Sequence, residues 1–398
     1  MVPKLLEAEN LTMNFYTYEG VVQALDRINL NVREGEILGL VGETGCGKSV
    51  TALSILRLIR PPGRIEEGKV NFRLKNRFAA SKRDINLLDQ DEAFMQKVRG
   101  NEISMIFQEP SEALNPVYSV GDQISEAFLL HRKEELCQVV LKRIEQDIKK
   151  DGFFLTRAIL KMERGIYLKM MEKPRSSSLK FLSCIPGVRR YRRRLLEEAK
   201  RRSIEMLRIL GIPHPEGVVM RYPHELSGGM QQRVVIAMAL ACNPTLLIAD
   251  EPTSNLDVTI QAQILDLVRK LKKEFGSSIL FITHDLGVVA EMCEKVVVMY
   301  AGHIAEVAPV HSLFKKPLHP YTQGLLKSVP RPGRKDRLQS IKGSVPNLIS
   351  PPSGCRFHPR CPRVMHKCSD AKPALRETEK NRFVACYLYH KERDKDDA

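Results

Sequence analysis

A chain of 398 residues, 43% hydrophobic and 28% charged, can bury the core of one large domain or of two to three ordinary ones. Its 6% aromatic content, with no tryptophan, argues against an aromatic-lined nucleic-acid groove, and no nucleic-acid partner is expected. The net charge of +16 is local: between Arg132 and Arg202 there are 21 Lys/Arg against 9 Asp/Glu, which suggests one basic docking surface rather than a uniformly basic protein.

Glu7 and Glu9 stand where a signal peptide would carry its apolar segment. No stretch approaches the roughly 18 consecutive apolar residues of a membrane span. The expectation is a cytosolic protein that reaches a membrane through partners. Residues 5 to 41 alternate short apolar and polar runs and read as strands, the last of them, 36 to 41, buried and leading into a glycine-rich turn. Residues 48 to 59 have helical spacing and stop at Pro61-Pro62-Gly63. Residues 64 to 106 read as short strands and turns closing on Ile103 to Phe107. From about Val120 to Leu210 the pattern is helical and increasingly basic, with a loop at 173 to 178.

An α/β rhythm then returns: helix 229 to 241, strand 245 to 249, helix 260 to 275 and strand 278 to 283. Apolar strands separated by helices predict a mostly parallel sheet. After about Pro309 the chain reads as a Pro/Arg/Lys-rich linker to a tail holding Cys355, Cys361, Cys368 and Cys386. The remaining cysteines, Cys46, Cys137, Cys184, Cys242 and Cys293, have no repeated spacing. No internal repeat is present.

Gly42-Glu43-Thr44-Gly45-Cys46-Gly47-Lys48-Ser49 matches the P-loop pattern, with the strand before it and the helix after it that the pattern requires. Its glycines let backbone N–H groups surround a β-phosphate, Lys48 reaches the β- and γ-phosphates, and the Ser49 hydroxyl is a Mg²⁺ ligand. Cys46 reads as a tolerated small residue rather than a redox switch. Asp250 and Glu251 end an apolar strand. Asp250 suits a Mg²⁺ ion held through its water shell, and Glu251 suits orientation and deprotonation of an attacking water. An acid pair at this place also serves as an ordinary helix N-terminus, and its position downstream of a P-loop decides between the two.

Leu226-Ser227-Gly228-Gly229-Met230-Gln231 sets glycines at the start of a strong helix, a second place where free N–H groups await a phosphate. Here the sequence resembles ATP-binding-cassette proteins. The resemblance implies an α/β P-loop (RecA-like) core with an antiparallel β subdomain, a helical subdomain and a small C-terminal cysteine module. It implies that two cassettes stack head to tail, each ATP lying between one P-loop and the partner's signature, Leu226, Ser227, Gly228, Gly229 and Gln231 here. It further implies a Q-loop glutamine at Gln108, also toward Mg²⁺, a D-loop aspartate at Asp257, a switch histidine at His284 and an adenine-stacking aromatic at Phe15, with Tyr16 and Tyr18 as neighbours. Thr51 joins the ATP-binding set. Lys48, Glu251 and His284 are all present, which speaks against a non-catalytic cassette, and the lack of tandem cassettes or long coiled-coil arms speaks against a soluble cassette acting on DNA or the ribosome.

The likeness narrows to ATPase subunits of oligopeptide/dipeptide-type importers through MIFQEP with Leu114-Asn115-Pro116, YPHELSGGMQQRVVIAMAL, DVTIQAQIL, Met299-Tyr300-Ala301-Gly302, His319-Pro320-Tyr321-Thr322 and Gly354-Cys355-Arg356-Phe357-His358-Pro359-Arg360-Cys361-Pro362. Ser254-Asn255 stands where the branch often has Thr-Ala. The wording is closer to the first of two ATPase subunits. A related second subunit, two membrane-spanning permeases and an extracellular solute-binding protein are the implied partners, at the cytoplasmic face of the cell membrane. The cargo is a peptide, a metal complex or a sugar.

The expected domains are a cassette at 1–309, with a helical subdomain at about 110–228, and an extension at 310–398. The likeness lapses at about 133–200, which reads as a basic insertion, either a solvated hairpin or a surface for anionic headgroups or an acidic partner. Tail spacings of this kind are not a zinc-finger pattern, and four thiolates suit a [4Fe–4S] cluster or Zn²⁺, with His358 and His366 as further donors, or else remain free thiols. The resemblance favours the iron–sulfur cluster.

Overall fold

The computed structural model describes residues 2–74, 83–150, 154–172, 190–328 and 340–390. The loop expected at 173–178, together with Cys184, lies outside the described residues. The chain forms two compact units, one of Met1–Gln108, Thr245–Asn255 and Gln261–Ala398, the other of Glu109–Pro244 and Leu256–Ile260.

The first unit is built on two sheets. Strands β1 (Lys4–Thr17), β2 (Gly20–Arg33), β4 (Gly63–Leu74) and β5 (Arg83–Asn86) form an antiparallel sheet in the order β2-β1-β4-β5. Their alternating burial follows from one face packing on the core through residues such as Leu6, Leu11, Met13, Val70 and Phe72. The second sheet has the order β11 (Arg376–Glu379), β12 (Arg382–Val384), β10 (His303–Pro309), then β9-β3-β8-β7-β6. Its parallel centre is β6 (Ile103–Ile106), β7 (Leu246–Asp250), β8 (Ser278–Thr283), β3 (Ile37–Val41) and β9 (Lys295–Tyr300). Strands β3, β7 and β8 are buried at every residue, as expected of parallel strands covered on both faces.

Three expectations shift. The helix after the glycine loop is Lys48–Ile55, shorter than its spacing suggested, and Arg57 then takes a left-handed φ of 52°. The stretch read as strands and turns also holds a helix, Glu92–Val98, whose N-terminus is capped by Asp91 accepting the Phe94 N–H at 2.7 Å. The first part of the presumed linker is ordered: β10 (His303–Pro309) leads into helices Val310–Lys315 and Pro320–Lys327. Pro320 sits at a helix start, where its missing N–H costs nothing, and the His319 ring accepts the Tyr321 N–H at 3.0 Å.

Near the other end of the chain, β11 (Arg376–Glu379) and β12 (Arg382–Val384) add to the same sheet, β12 pairing antiparallel with β10. The join is fixed by a buried charge. The Glu306 carboxylate, fully buried, accepts the Leu318 N–H at 3.0 and 3.1 Å, the His319 N–H at 2.8 Å and the Arg382 guanidinium at 3.3 Å.

The second unit is helical. Helices Val120–His131, Lys133–Lys150, Phe154–Glu172, Arg190–Ile209 and Gly228–Leu240 carry most of it. Many of the segment's cations are used internally. Fully buried Glu198 is ringed by Arg201 at 2.6 Å, Arg143 at 2.8 Å and Arg202 at 3.7 Å, and Arg194 reaches Asp147 at 3.0 Å and Glu163 at 3.1 Å. Burial opposes the charge on Glu198, but the Arg201 hydrogen bond and the surrounding guanidinium charges hold its carboxyl below the usual range. Among the described residues no helix is long and apolar enough to cross a membrane.

Glu306→Ala strips buried Arg382 of its buried carboxylate partner, leaving it Glu379 and the Lys316 carbonyl, and strips two backbone N–H groups of their acceptor. It is expected to lower stability by about 3–5 kcal/mol in denaturant unfolding of the full chain; a loss below about 1 kcal/mol would show that the β10–β12 join does not depend on this pair.

Candidate active site

In an open α/β sheet ligands gather beyond the carboxyl ends of the parallel strands, where the strand order reverses. Here the chain leaves β3 for the glycine loop, β6 for Gln108, β7 for Glu251 and β8 for His284, all four strands being neighbours in the order β3-β8-β7-β6.

The loop's shape depends on its glycines. Gly47 has φ 103°, and a Cβ at Gly42 would lie 2.2 Å from the Met299 carbonyl oxygen. Cys46, fully buried, has its thiol pushed up mainly by burial, so it does not act as a ready thiolate. The buried Lys48 donates to the carbonyls of Gly42 at 2.9 Å and Glu43 at 3.1 Å. Its third contact is to Cys46 Sγ at 3.9 Å, a weak acceptor that a phosphate oxygen would replace. Thr51 is fully buried and donates to the Gly47 carbonyl at 2.9 Å.

Asp250, at the end of β7, is buried, and burial raises its pKa; a hydrogen bond to the Ser49 side chain works against that rise, and the charge of Glu251 adds to it. Its Oδ1 is buried without a hydrogen-bond partner. A desolvated carboxylate oxygen beside a serine hydroxyl is a hard-oxygen pair of the kind Mg²⁺ takes. Ser49 and Asp250 therefore fit that ion.

Glu251 has a left-handed φ of 47°, a conformation that costs a non-glycine residue about 1–3 kcal/mol. Its N–H donates to the Ile282 carbonyl at 2.9 Å, which fixes the residue against β8. Its carboxylate is then held on both sides: Gln108 Nε2 donates to Oε2 at 3.2 Å, and His284 Nδ1 lies 3.0 Å from Oε1. Ser254 Oγ reaches the carbonyls of Gln108 and Glu251, each at 3.0 Å, and tightens the same turn. The structure thus brings Gln108, Glu251 and His284 together.

Phe15 lies on β1, half-buried against the first unit's core; Tyr16 donates to Glu66 at 2.8 Å, and Tyr18 is exposed. In the second unit, Leu226 is buried while Ser227 and Gly228 are exposed at the start of helix Gly228–Leu240, and the Ser227 side chain makes no capping hydrogen bond. Gln231 turns back to the carbonyls of Pro223 at 2.8 Å and Leu226 at 3.3 Å. Asp257 is exposed and accepts the Ile260 N–H at 3.0 Å.

Two contacts at the loop were not foreseen. Glu43 accepts two bonds from Arg360, at 2.7 and 3.1 Å, and its N–H donates to the Tyr321 hydroxyl at 2.9 Å. Both partners lie in motifs that carried the family resemblance, but nothing in their spacing pointed to the loop.

The four tail cysteines are free thiols that line one small cavity. Burial pushes Cys355 and Cys386 up to about 11, with the neighbouring cysteines adding to it. Among the described residues no three His, Cys, Asp or Glu side chains are gathered closely enough to hold a single metal ion. His366 does not line this cavity, and His358 does.

A strand–glycine loop–helix unit beside an acid pair and a braced glutamate defines a P-loop ATPase. Residues 25–254 match the model of the ABC transporter family, and residues 305–368 match the oligopeptide/dipeptide transporter C-terminal region. A probable peptide ABC transporter ATP-binding protein of Sinorhizobium fredii is 43% identical over 386 residues, covering 96% of this chain and 94% of that one. The oligopeptide transport ATP-binding protein AppD of Bacillus subtilis is 41% identical over 390 residues, covering 98% of each. Among solved structures, the dimeric post-hydrolysis state of the ATP-binding cassette MJ0796, bound to ADP and Pi, matches with a TM-score of 0.52 at 24% identity over 77% of this chain and 99% of that one, a likeness of fold. The chain belongs to the ATP-binding-cassette transporter ATPases and carries the C-terminal region of their oligopeptide/dipeptide branch.

If the Cys46 thiol is inert packing, native protein treated with iodoacetamide at neutral pH should leave it unmodified by mass spectrometry, and Cys46→Ala should retain ATP binding. Rapid alkylation of Cys46 would contradict its burial.

Proposed function

We propose that this chain is the ATP-hydrolysing subunit of a peptide importer, with the chemistry carried by Lys48, Glu251 and His284. The observation that bears most on this reading is the Glu251 carboxylate held between Gln108 and His284 beside the phosphate loop. Glu251 orients a water and takes its proton as that water attacks the γ-phosphate of ATP. His284 sits on the Glu251 carboxylate and reports the γ-phosphate to it. Lys48 and the loop N–H groups bind the β- and γ-phosphates, and Phe15 offers the adenine a flat apolar face. Mg²⁺, held by Ser49, Gln108 and Asp250, would neutralise the developing phosphate charge.

The signature, with exposed Ser227 and Gly228 at a helix N-terminus, suits the ATP of a second cassette, and Asp257 lies in the segment that would face it. A related ATPase subunit, two permeases and an extracellular solute-binding protein complete the proposed complex, at the cytoplasmic face of the membrane. The peptide cargo rests on the names of relatives that match nearly the whole chain. In domain terms, residues 1–309 form the cassette, with a helical subdomain at about 110–228 that carries the basic insertion at about 133–200, and 310–398 its extension. Exposed cations of the insertion would add attraction to anionic headgroups beside the permeases.

For the tail, Cys355, Cys361, Cys368 and Cys386 would hold a [4Fe–4S] cluster. What supports a group held by this set is that all four thiols line one small cavity. Such a group would be structural, apart from the ATP chemistry.

Glu251→Gln should keep ATP binding while lowering turnover about 100-fold or more; hydrolysis at the wild-type rate would refute the role. Anaerobically purified protein should be brown, with about four irons and four sulfides per chain. A colourless, iron-free chain would exclude the cluster.

A further inference from the structure

The phosphate loop is held from outside its own motif. Arg360 lies between Cys355 and Cys361, and its guanidinium is nearly buried. It donates to both Glu43 carboxylate oxygens, to the Lys342 carbonyl at 3.0 Å and to the Tyr300 hydroxyl at 3.2 Å. Tyr321, fully buried, packs its ring 4.6 Å from that of Tyr300 and 5.4 Å from that of Phe357, and its hydroxyl accepts the Glu43 N–H. Glu43 is thus gripped by its side chain and by its backbone. Its carbonyl, with that of Gly42, in turn receives the Lys48 ammonium.

We infer that Arg360 and Tyr321 are positioning residues for ATP binding, acting through Glu43 on Lys48. Two physical effects combine. The carbonyls that aim Lys48 are only as fixed as Glu43 is, and Glu43 is fixed by Arg360 and Tyr321. The Glu43 carboxylate is also an anion in the loop that must receive a triphosphate, and the two-pronged Arg360 pair offsets its charge. Residues well outside the P-loop motif therefore set the loop's affinity for nucleotide. The inference rests on residues 42–49 being the phosphate loop, which Lys48→Ala tests separately.

The test is equilibrium binding of a fluorescent ATP analogue to the full chain, alongside the KM for ATP. Arg360→Ala should bind about tenfold more weakly and raise KM to match, while kcat at saturating ATP holds. Arg360→Lys, which keeps the charge and loses the fork, should fall between the two. Glu43→Gln added to Arg360→Ala should restore the part of the affinity lost to the uncompensated anion, while the part lost with the clamp on Glu43 remains; damage to the C-terminal segment alone would not be rescued even in part this way. Tyr321→Phe keeps the ring and removes the acceptor, so it should weaken binding to a smaller degree and serves as the readout should Arg360→Ala fail to fold. Wild-type affinity in Arg360→Ala or, if that variant does not fold, in Tyr321→Phe would overturn the inference, as would a double variant as weak as Arg360→Ala. Wild-type affinity in Lys48→Ala would instead overturn the loop assignment itself.

Discussion

The parallel register of β3, β8, β7 and β6 is the constraint on which the site depends. Val41 pairs with Thr283, Asp250 with Ile282 and Ile106 with Ala249, so these strands end at one level and deliver the loop, His284, Glu251 and Gln108 to a common edge. Strands β3, β7 and β8 are buried throughout because both sheet faces are covered, and a one-residue slip would turn buried side chains to the wrong face. Burial fixes the register, and the register fixes the geometry of the candidate site. The unfavourable φ of Glu251 is tolerated because its N–H is tied to β8 and its carboxylate to two neighbours.

A site for a triphosphate built from carboxylates has an electrostatic problem, and each acid meets it differently. Asp250 is buried beside Ser49 with one oxygen unpartnered, an arrangement relieved by a divalent cation. Glu251 rests between an amide and an imidazole, which hold its carboxylate in place. Glu43 is matched by a guanidinium that arrives from more than 300 positions along the chain. The partners in the first two, Ser49, Gln108 and His284, stand just past the ends of the core strands, whereas the partner in the third comes from the C-terminal segment.

That division explains what could be read in advance. The glycine loop, the acid pair and the signature are contiguous motifs whose backbone needs dictate residue types, so they stood out along the chain. Gln108 and His284 each end a buried strand and became interpretable once the family order was laid over them. The clamp on Glu43 had no such mark, since an arginine among cysteines and a tyrosine after a proline are common and only folding brings them to the loop. Helix Glu92–Val98 was hidden by short length amid strand-like neighbours, and residues 310–327 by their prolines, one of which starts a helix.

The C-terminal segment is joined to the nucleotide core at several levels at once. Strands β11 and β12 extend the sheet that carries the P-loop, buried Glu306 binds them through Arg382, and Arg356 reaches Gln23 and Asp26 beyond the start of β2. Asp26 is itself drawn well below the usual carboxylate range, first by the His303 ring nitrogen 3.3 Å away and then by Lys372, despite burial that opposes its charge. A depressed acid stabilises this contact above its unfolded-state pKa and loses that contribution as pH falls through the folded value, so the join holds at neutral pH and weakens only under strong acid. A segment merely tethered to a cassette needs none of these buried charges. Their number and burial make it part of the architecture that shapes the ATP site.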